Sequence, residues 1–317
     1  LGDTRAIYLT SASSNNSIYQ NAIITSNNNG VGIDMDSDSN WQNIFSNSIN
    51  TTGTSADAIK LNGGGSNSLV FSNLINIRGY SVTGIAVTSN SSSIFNNSVI
   101  SYGESNFGVT VTLGMAHNLV FGNNITMSGT SSYGIKLVSQ NDSIYQNKVT
   151  VQNDSSSGIY LTQGAAYNQI YENNISALNS TGSFGIYLYA EANNNSFYRN
   201  SISSLAAAIA INGSTIPFLV PATVKFNTFT NDTIVPCLTG CADNYADIVL
   251  TSNATDIFFL NVSFNKSRIM FVPRDADNPI ETNNLTVQWY LDVNVTNSTD
   301  NNPISNAEVN INNSFGR

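Results

Sequence analysis

Ser157-Gly158-Ile159-Tyr160-Leu161, followed shortly by Asn168-Gln169-Ile170-Tyr171-Glu172-Asn173-Asn174-Ile175, contains the pattern that decides the fold. The pattern has two beats. The first is a small residue, an aliphatic, any residue and a second aliphatic. The second is an aliphatic, an aromatic, any residue and Asn. Outward from this stretch the first beat recurs at Ala6-Ile7-Tyr8-Leu9, Gly32-Ile33-Asp34-Met35, Ala58-Ile59-Lys60-Leu61 and Gly84-Ile85-Ala86-Val87. It continues at Gly108-Val109-Thr110-Val111, Gly134-Ile135-Lys136-Leu137, Gly185-Ile186-Tyr187-Leu188 and Ala208-Ile209-Ala210-Ile211, so the period is 23 to 27 residues. A fixed period of this length marks a solenoid.

Two aliphatics separated by one residue make a strand with one inward face. Val, Ile, Thr, Tyr and Phe dominate these runs, and Ser, Asn and Gly fill the gaps. The spacing of amphipathic helices is missing, which argues against helical repeats, and no leucine-rich consensus is present. The reading is all-β: a parallel β-helix of about ten coils, roughly 45 Å long at about 4.8 Å per coil.

Within the second beat, Asn21, Asn47, Asn73, Asn97, Asn123, Asn147, Asn173, Asn200 and Asn227 form a column. Stacked at the strand spacing, such amides can bond along the axis as an internal ladder. The aromatics Tyr19, Phe45, Phe71, Phe95, Phe121, Tyr145, Tyr171 and Tyr198 form another column. Strict alternation would turn these rings outward, whereas a bend in the chain would tuck them between coils. Both alternatives stand at this point.

The two beats resemble the right-handed parallel β-helix repeats of NosD-like and pectate-lyase-like proteins. In style they are most similar to Asn-rich repeat proteins of archaeal cell surfaces. The resemblance covers residues 6 to 229 and implies the fold and its handedness, not an activity, because this fold carries many unrelated functions.

Catalysis in such a fold would need clustered groups. Glycoside hydrolysis needs two carboxyls facing one substrate. Glutamates are scarce (Glu104, Glu172, Glu191, Glu281, Glu308), and none lies on the first-beat strand. The outward positions there are Tyr8, Asp34, Lys60, Ala86, Thr110, Lys136, Tyr160, Tyr187 and Ala210. No catalytic constellation is expected. Asp34, Asp36 and Asp38 alternate like oxygen ligands for structural calcium, but lack the Gly and Glu of a calcium loop. A solvated acidic turn is the preferred reading, and no cofactor is expected.

The formal net charge is −9 and only 10% of residues are charged. With so few scattered Lys and Arg there is no electrostatic footprint for nucleic acid. No apolar run reaches the 18 or so residues that span a bilayer. Cys237 and Cys241 are the only cysteines, and a local disulfide is expected, which suits an oxidising compartment. Nineteen Asn-x-Ser/Thr sites occur: Asn15, Asn50, Asn90, Asn96, Asn124, Asn141, Asn153, Asn174, Asn179, Asn194, Asn212, Asn231, Asn253, Asn261, Asn265, Asn284, Asn294, Asn297 and Asn312. None of the ladder Asn begins one. N-linked glycans are expected to cluster on turns and an extracellular location is expected.

Residues 1–272 are read as the solenoid, with an insertion at about 231–246 carrying both cysteines. Residues 273–317 are read as a linker and the opening strands of an incomplete immunoglobulin-like sandwich, from the alternation of Leu285, Val287, Trp289, Leu291, Val293 and Val295. Leu1 is neither an initiator Met nor the start of a signal peptide, so a processed product or an excerpt is expected. The functional expectation is a structural, glycosylated subunit of a surface layer, sheath or filament that self-associates or joins neighbouring domains. The alternatives are a polysaccharide lyase or hydrolase and a carbohydrate-binding adhesin.

Overall fold

A computed structural model describes residues 4–10, 13–36, 38–63, 66–179, 182–213, 222–243, 245–272 and 283–290. Among these residues the chain winds through three parallel sheets, one short strand per sheet in each turn. The first sheet holds the first-beat strands, from Arg5–Leu9 to Ile269–Val272. The second holds the aliphatic-aromatic strands, from Ser17–Tyr19 to Leu285–Gln288. The third follows each Asn and runs from Ala22–Thr25 to Thr233–Val235. Equivalent residues pair in register from coil to coil, as in Ile85 with Val109, Val109 with Ile135 and Ile135 with Ile159.

Alternation sorts the side chains. Ile33, Ile59, Ile85, Ile135, Ile159 and Ile186 from the first sheet are fully buried. They meet Ile44, Val70, Ile94 and Ile144 of the second sheet and Ile49, Ile75, Ile125 and Ile175 of the third in one continuous core. Burying each such side chain contributes about 1.5–3 kcal/mol. Because the sheets run parallel, every coil depends on its neighbours for both core and hydrogen bonds.

The three sheets meet at three corners, each built from a residue in the left-handed region followed by an inward one, which is polar at the first two corners and is Ala56, Val82, Asn106, Ser132 or Ser156 at the third. Before the expected Asn column stand Gln20, Ser46, Ser72, Asn96, Gln146, Glu172 and Arg199, with φ between 53° and 56°. At the entry to the second sheet stand Asn15, Trp41, Asn67, Ser91, His117, Asn141, Tyr167, Asn194 and Phe226, with φ between 54° and 62°. The third corner uses Ser55, Ser81, Ser105, Ser131 and Ser155. Left-handed backbone is costly for residues with a Cβ, so each corner needs compensating bonds.

Those bonds run along the axis. Asn123 Nδ2 donates to the carbonyls of Ile94 (2.9 Å) and Phe121 (3.1 Å) and to Asn147 Oδ1 (3.0 Å). Its own Oδ1 accepts from the backbone N–H and Nδ2 of Asn97, both at 3.0 Å. The same bonding links Asn21, Asn47, Asn73, Asn97, Asn123, Asn147, Asn173 and Asn200.

Asn227 is not part of this ladder. The next rung is Asp232, whose Oδ1 accepts from Asn200 N (2.7 Å) and Nδ2 (2.8 Å). Asn227 ends a second ladder, at the entry corner, reached through Asn168 and Asn195. Phe229 therefore pairs with Phe197 in the second sheet and is not an entry to the third. The rung lies five residues past the expected Asn227 because the ninth coil is longer than its predecessors: its ladder step is 32 residues, against 24 to 27 earlier.

Two other boundaries change. Thr233–Val235 pairs with Ser201–Ser204 as an ordinary third-sheet strand. The expected insertion at 231–246 thus shrinks to the segment after it, which the Cys237–Cys241 disulfide closes. The strand Leu285–Gln288 pairs in parallel with Ile257–Leu260, so this piece of the expected sandwich extends the solenoid. Leu291, Val293 and Val295 lie outside the described residues.

Gly53, Gly79, Gly103 and Gly129 stack at the turn after the third sheet. A Cβ on Gly129 would lie 1.8 Å from the carbonyl oxygen of Gly103. Gly129→Ala is expected to lower stability by about 1–3 kcal/mol, as forced overpacking does. Urea unfolding checks this, and an unchanged midpoint would show that the turn yields without cost.

Candidate functional site

Four outward-facing features carry the chemistry. The first is an acidic group on the first two coils. Arg5 is paired with Asp34 through Nε and Oδ2, and Asn62 Nδ2 donates to Asp34 Oδ1 at 2.8 Å. Tyr8 donates its hydroxyl to Asp36 Oδ2 at 2.7 Å. Asp34 is only 2% exposed. Asp38 sits in the left-handed region at φ 71°. Of the three aspartates weighed for calcium, Asp34 is engaged by a cation and an amide, and Asp36 accepts from a phenol. Among the described residues no group of three or more His, Cys, Asp or Glu is placed to hold a metal. Nearby Asp57 has its carboxyl pKa raised by burial, partly offset by the N–H of Thr83 and the charge of Lys60.

The second feature is an aromatic platform further along the same sheet. Phe107 and Tyr133 occupy one outward register, and Tyr160 and Tyr187 the neighbouring one. Ser157, opposite Tyr133, is small, so Tyr133 leans across to Tyr160. The ring centroids follow at 5.6, 4.6 and 5.3 Å from Phe107 to Tyr187. Phe184 and Tyr189 flank Tyr187 at tilted angles. Lys136 places its ammonium 4.9 Å from the Phe107 centroid, a cation–π contact. Burial lowers the Lys136 pKa. Burial also raises that of Tyr133 and Tyr187, and pushes Tyr160 up to about 12. The phenols are thus protonated donors, and Tyr187 Oη accepts from Asn212 Nδ2 at 3.3 Å. Of these rings only Tyr160 and Tyr187 fall on the outward first-beat positions; Phe107, Tyr133 and Phe184 sit one register away.

The third feature settles the question of the aromatic column. Its rings face outward from the second sheet and stack from Tyr19 to Tyr198 with centroids 4.6–5.0 Å apart and planes within 7°. Parallel in-register pairing places every ring directly over the last, so the inner rings cover each other's faces and show only their edges.

The fourth is the set of candidate glycan sites. Asn15, Asn90, Asn96, Asn124, Asn141, Asn174, Asn231, Asn265 and Asn284 are exposed. Asn50, Asn153, Asn179, Asn194, Asn212, Asn253 and Asn261 are half-buried. Asn50, Asn124 and Asn174 stand on third-sheet strands, not on turns. Asn90 also accepts from Ala116 N at 2.8 Å, so it has a structural partner. Asn294, Asn297 and Asn312 lie outside the described residues.

The family model that matches is that of the periplasmic copper-binding protein NosD, over residues 81–216, less than half of the chain. The fold is similar to that of the tailspike protein of E. coli bacteriophage HK620, solved as a mutant with a pentasaccharide. The TM-score is 0.55 at 12% identity, with 90% of this chain and 59% of that one covered. The chain is a right-handed parallel β-helix repeat protein. The β-helix spans about three fifths of the tailspike's length. It is also similar to the A-module of an Azotobacter vinelandii mannuronan C-5 epimerase, with TM-score 0.45 at 12% identity, covering 91% and 87% of the two chains. A further similarity is to the DFA-IIIase of Arthrobacter chlorophenolicus, with TM-score 0.46 at 12% identity, covering 79% and 62%. No curated protein sequence matches that of the β-helix. No helix among its described residues is long and apolar enough to cross a membrane.

The copper in the family's description finds no matching donor set here. The single histidine, His117, is exposed at a left-handed corner. Both cysteines are in the disulfide. Copper prefers imidazole and sulfur ligands, and none converge among the described residues.

Proposed function

We propose that this β-helix is a structural element of a surface outside the cytoplasm, a repeating subunit of a layer, sheath or filament. One observation carries the reading: the ring column of the second sheet. Eight stacked rings present a straight apolar ridge about 34 Å long at strand spacing. Contiguous apolar surface of this extent marks contact with another macromolecule, and a straight repetitive ridge suits a second copy of the same solenoid. The periplasmic description of the matching family and the disulfide support a location beyond the cytoplasm. Engagement of Asp34 and Asp36 by Arg5, Asn62 and Tyr8 supports a structural over a catalytic use of these acids.

Electron microscopy of the native particle tests the proposal directly. Polymers with solenoids in lateral contact along the ring column are expected. A native particle that sediments as a lone monomer would remove it. Glycopeptide mass analysis of the same material tests the glycans, expected at exposed sites such as Asn90, Asn96 and Asn124.

A second reading, carbohydrate contact, is favoured by the tyrosine platform of the first sheet. Its neutral phenols, amide and ammonium are the groups that hold sugar rings and hydroxyls. A bound pentasaccharide in the similarly folded tailspike is in keeping with this reading.

A further inference from the structure

Only the two end rings of the second-sheet column can offer a whole face, Tyr19 in the first coil and Tyr198. At Tyr198 the column stops because Thr230 occupies the next register position. Beyond Thr230 comes Leu260, two strand spacings from Tyr198, or roughly 9–10 Å. One rung of the aromatic stack is therefore missing. The gap opens as a cavity of about 410 Å³ lined by Ser196, Tyr198, Arg199, Thr228, Thr230 and Asn231, with Phe197 at its base. Tyr171 covers the other face of Tyr198 at 4.6 Å and 4°. The open face is thus held rigidly in the plane of the stack.

We infer that this missing rung is a binding slot for a single pyranose ring, stacked by its C–H face on Tyr198. The ligand class follows from the walls. An aromatic face accepts a ring at about 4.5–7 Å between centroids, which fits a gap of two spacings. Hydroxyls of Ser196, Thr228 and Thr230 line the gap with donors and acceptors, beside Asn231, whose Oδ1 accepts from Asn261 Nδ2 at 2.8 Å. Arg199 leans back to Glu172 (3.3 Å) and lies 5.5 Å from the Tyr198 centroid, so the cationic wall is largely neutralised. This suits an uncharged sugar with several hydroxyls better than a phosphate or a sulfate. The slot differs from the tyrosine platform in sheet, in coil and in geometry: one closed-backed face in place of a diagonal row of rings. The inference rests on the carbohydrate-contact reading and names a place for it.

The test is saturation-transfer NMR on the full chain with the methyl glycosides of glucose, mannose, galactose and N-acetylglucosamine. At least one should receive saturation from tyrosine ring protons, strongest at its axial C–H protons. With the platform disabled by Tyr160→Ala, a signal should remain. Adding Thr230→Tyr, which completes the stack and fills the slot, should abolish that remaining signal while leaving the unfolding midpoint unchanged or raised, and adding Tyr198→Ala should abolish it as well. A signal that survives Thr230→Tyr in the Tyr160→Ala background overturns the slot. A signal lost with Tyr160→Ala but kept with Thr230→Tyr overturns the slot while supporting carbohydrate contact at the platform. No signal from any glycoside with the unaltered chain overturns both.

Discussion

Asp232→Asn is expected to stabilise the protein at pH 8 by on the order of 4 kcal/mol. Asp232 is 1% exposed and occupies a rung that every earlier coil gives to Asn. Its Oδ1 is used by Asn200, but Oδ2 is buried without a partner. In the preceding rung Asn200 Nδ2 donates to Ile170 O at 2.9 Å, a bond an ionised carboxylate cannot make. Burial therefore pushes the Asp232 carboxyl up to about 7, from an ordinary value of 3.8. The folded state holds this proton more tightly than the unfolded chain. The group's stabilising contribution is thus complete below about pH 4, is lost as pH rises towards 7, and is absent above that. At about 1.4 kcal/mol per unit, the loss has the size stated. Urea unfolding from pH 4 to 8 should show the parent weakening with rising pH and Asp232→Asn weakening less. Asp142, buried in the entry-corner ladder with its own unpartnered Oδ2, keeps a residual slope of the same sign in both. Parallel pH profiles for the two proteins would refute the account.

Asn123→Ala should cost about 3 kcal/mol or more. The substitution removes the side-chain donor to the Ile94 carbonyl and the acceptor of the Asn97 N–H, and leaves the amides of Asn97 and Asn147 without their partner on that side. Each buried polar group left without a partner costs about 1–3 kcal/mol. The adjacent Asn124 is exposed on the third sheet, and Asn124→Ala should stay within about 0.5 kcal/mol. Equal effects from the two replacements, measured by chemical denaturation, would show that the ladder is not what holds this corner.

The period, the inward aliphatic columns and eight rungs of one ladder could be read from the chain, because those positions repeat a narrow residue class, Ile, Val, Leu or Met in the core and Asn in the ladder. The other two corners could not. At the entry corner the inward position is filled in turn by Asn16, Gln42, Ser68, Ser92, Asn118, Asp142, Asn168, Asn195 and Asn227. Any side chain with an acceptor satisfies the preceding coil's N–H there, so composition varies while geometry does not. The left-handed residues before them include Trp41, His117 and Tyr167, with no glycine signal to betray a turn. The platform was half hidden for a related reason: Tyr133 reaches Tyr160 only because Ser157 is small, a diagonal relation that a column-by-column reading does not see. The slot beside Tyr198 could be seen only as a position where the aromatic column ends.

The corner ladders tie each coil to its immediate neighbours and to nothing further away. If the 26 residues from Asn97 to Gly122 were excised, Asn73 would meet Asn123 with the same donors, acceptors and strand register that Asn97 offers. The object can therefore grow or shrink by one turn, about 4.8 Å of axial length, without any redesign of its faces. In an assembly built from such subunits, reach is set by repeat number and adhesion by the residues on the outside. A lineage can tune the two separately.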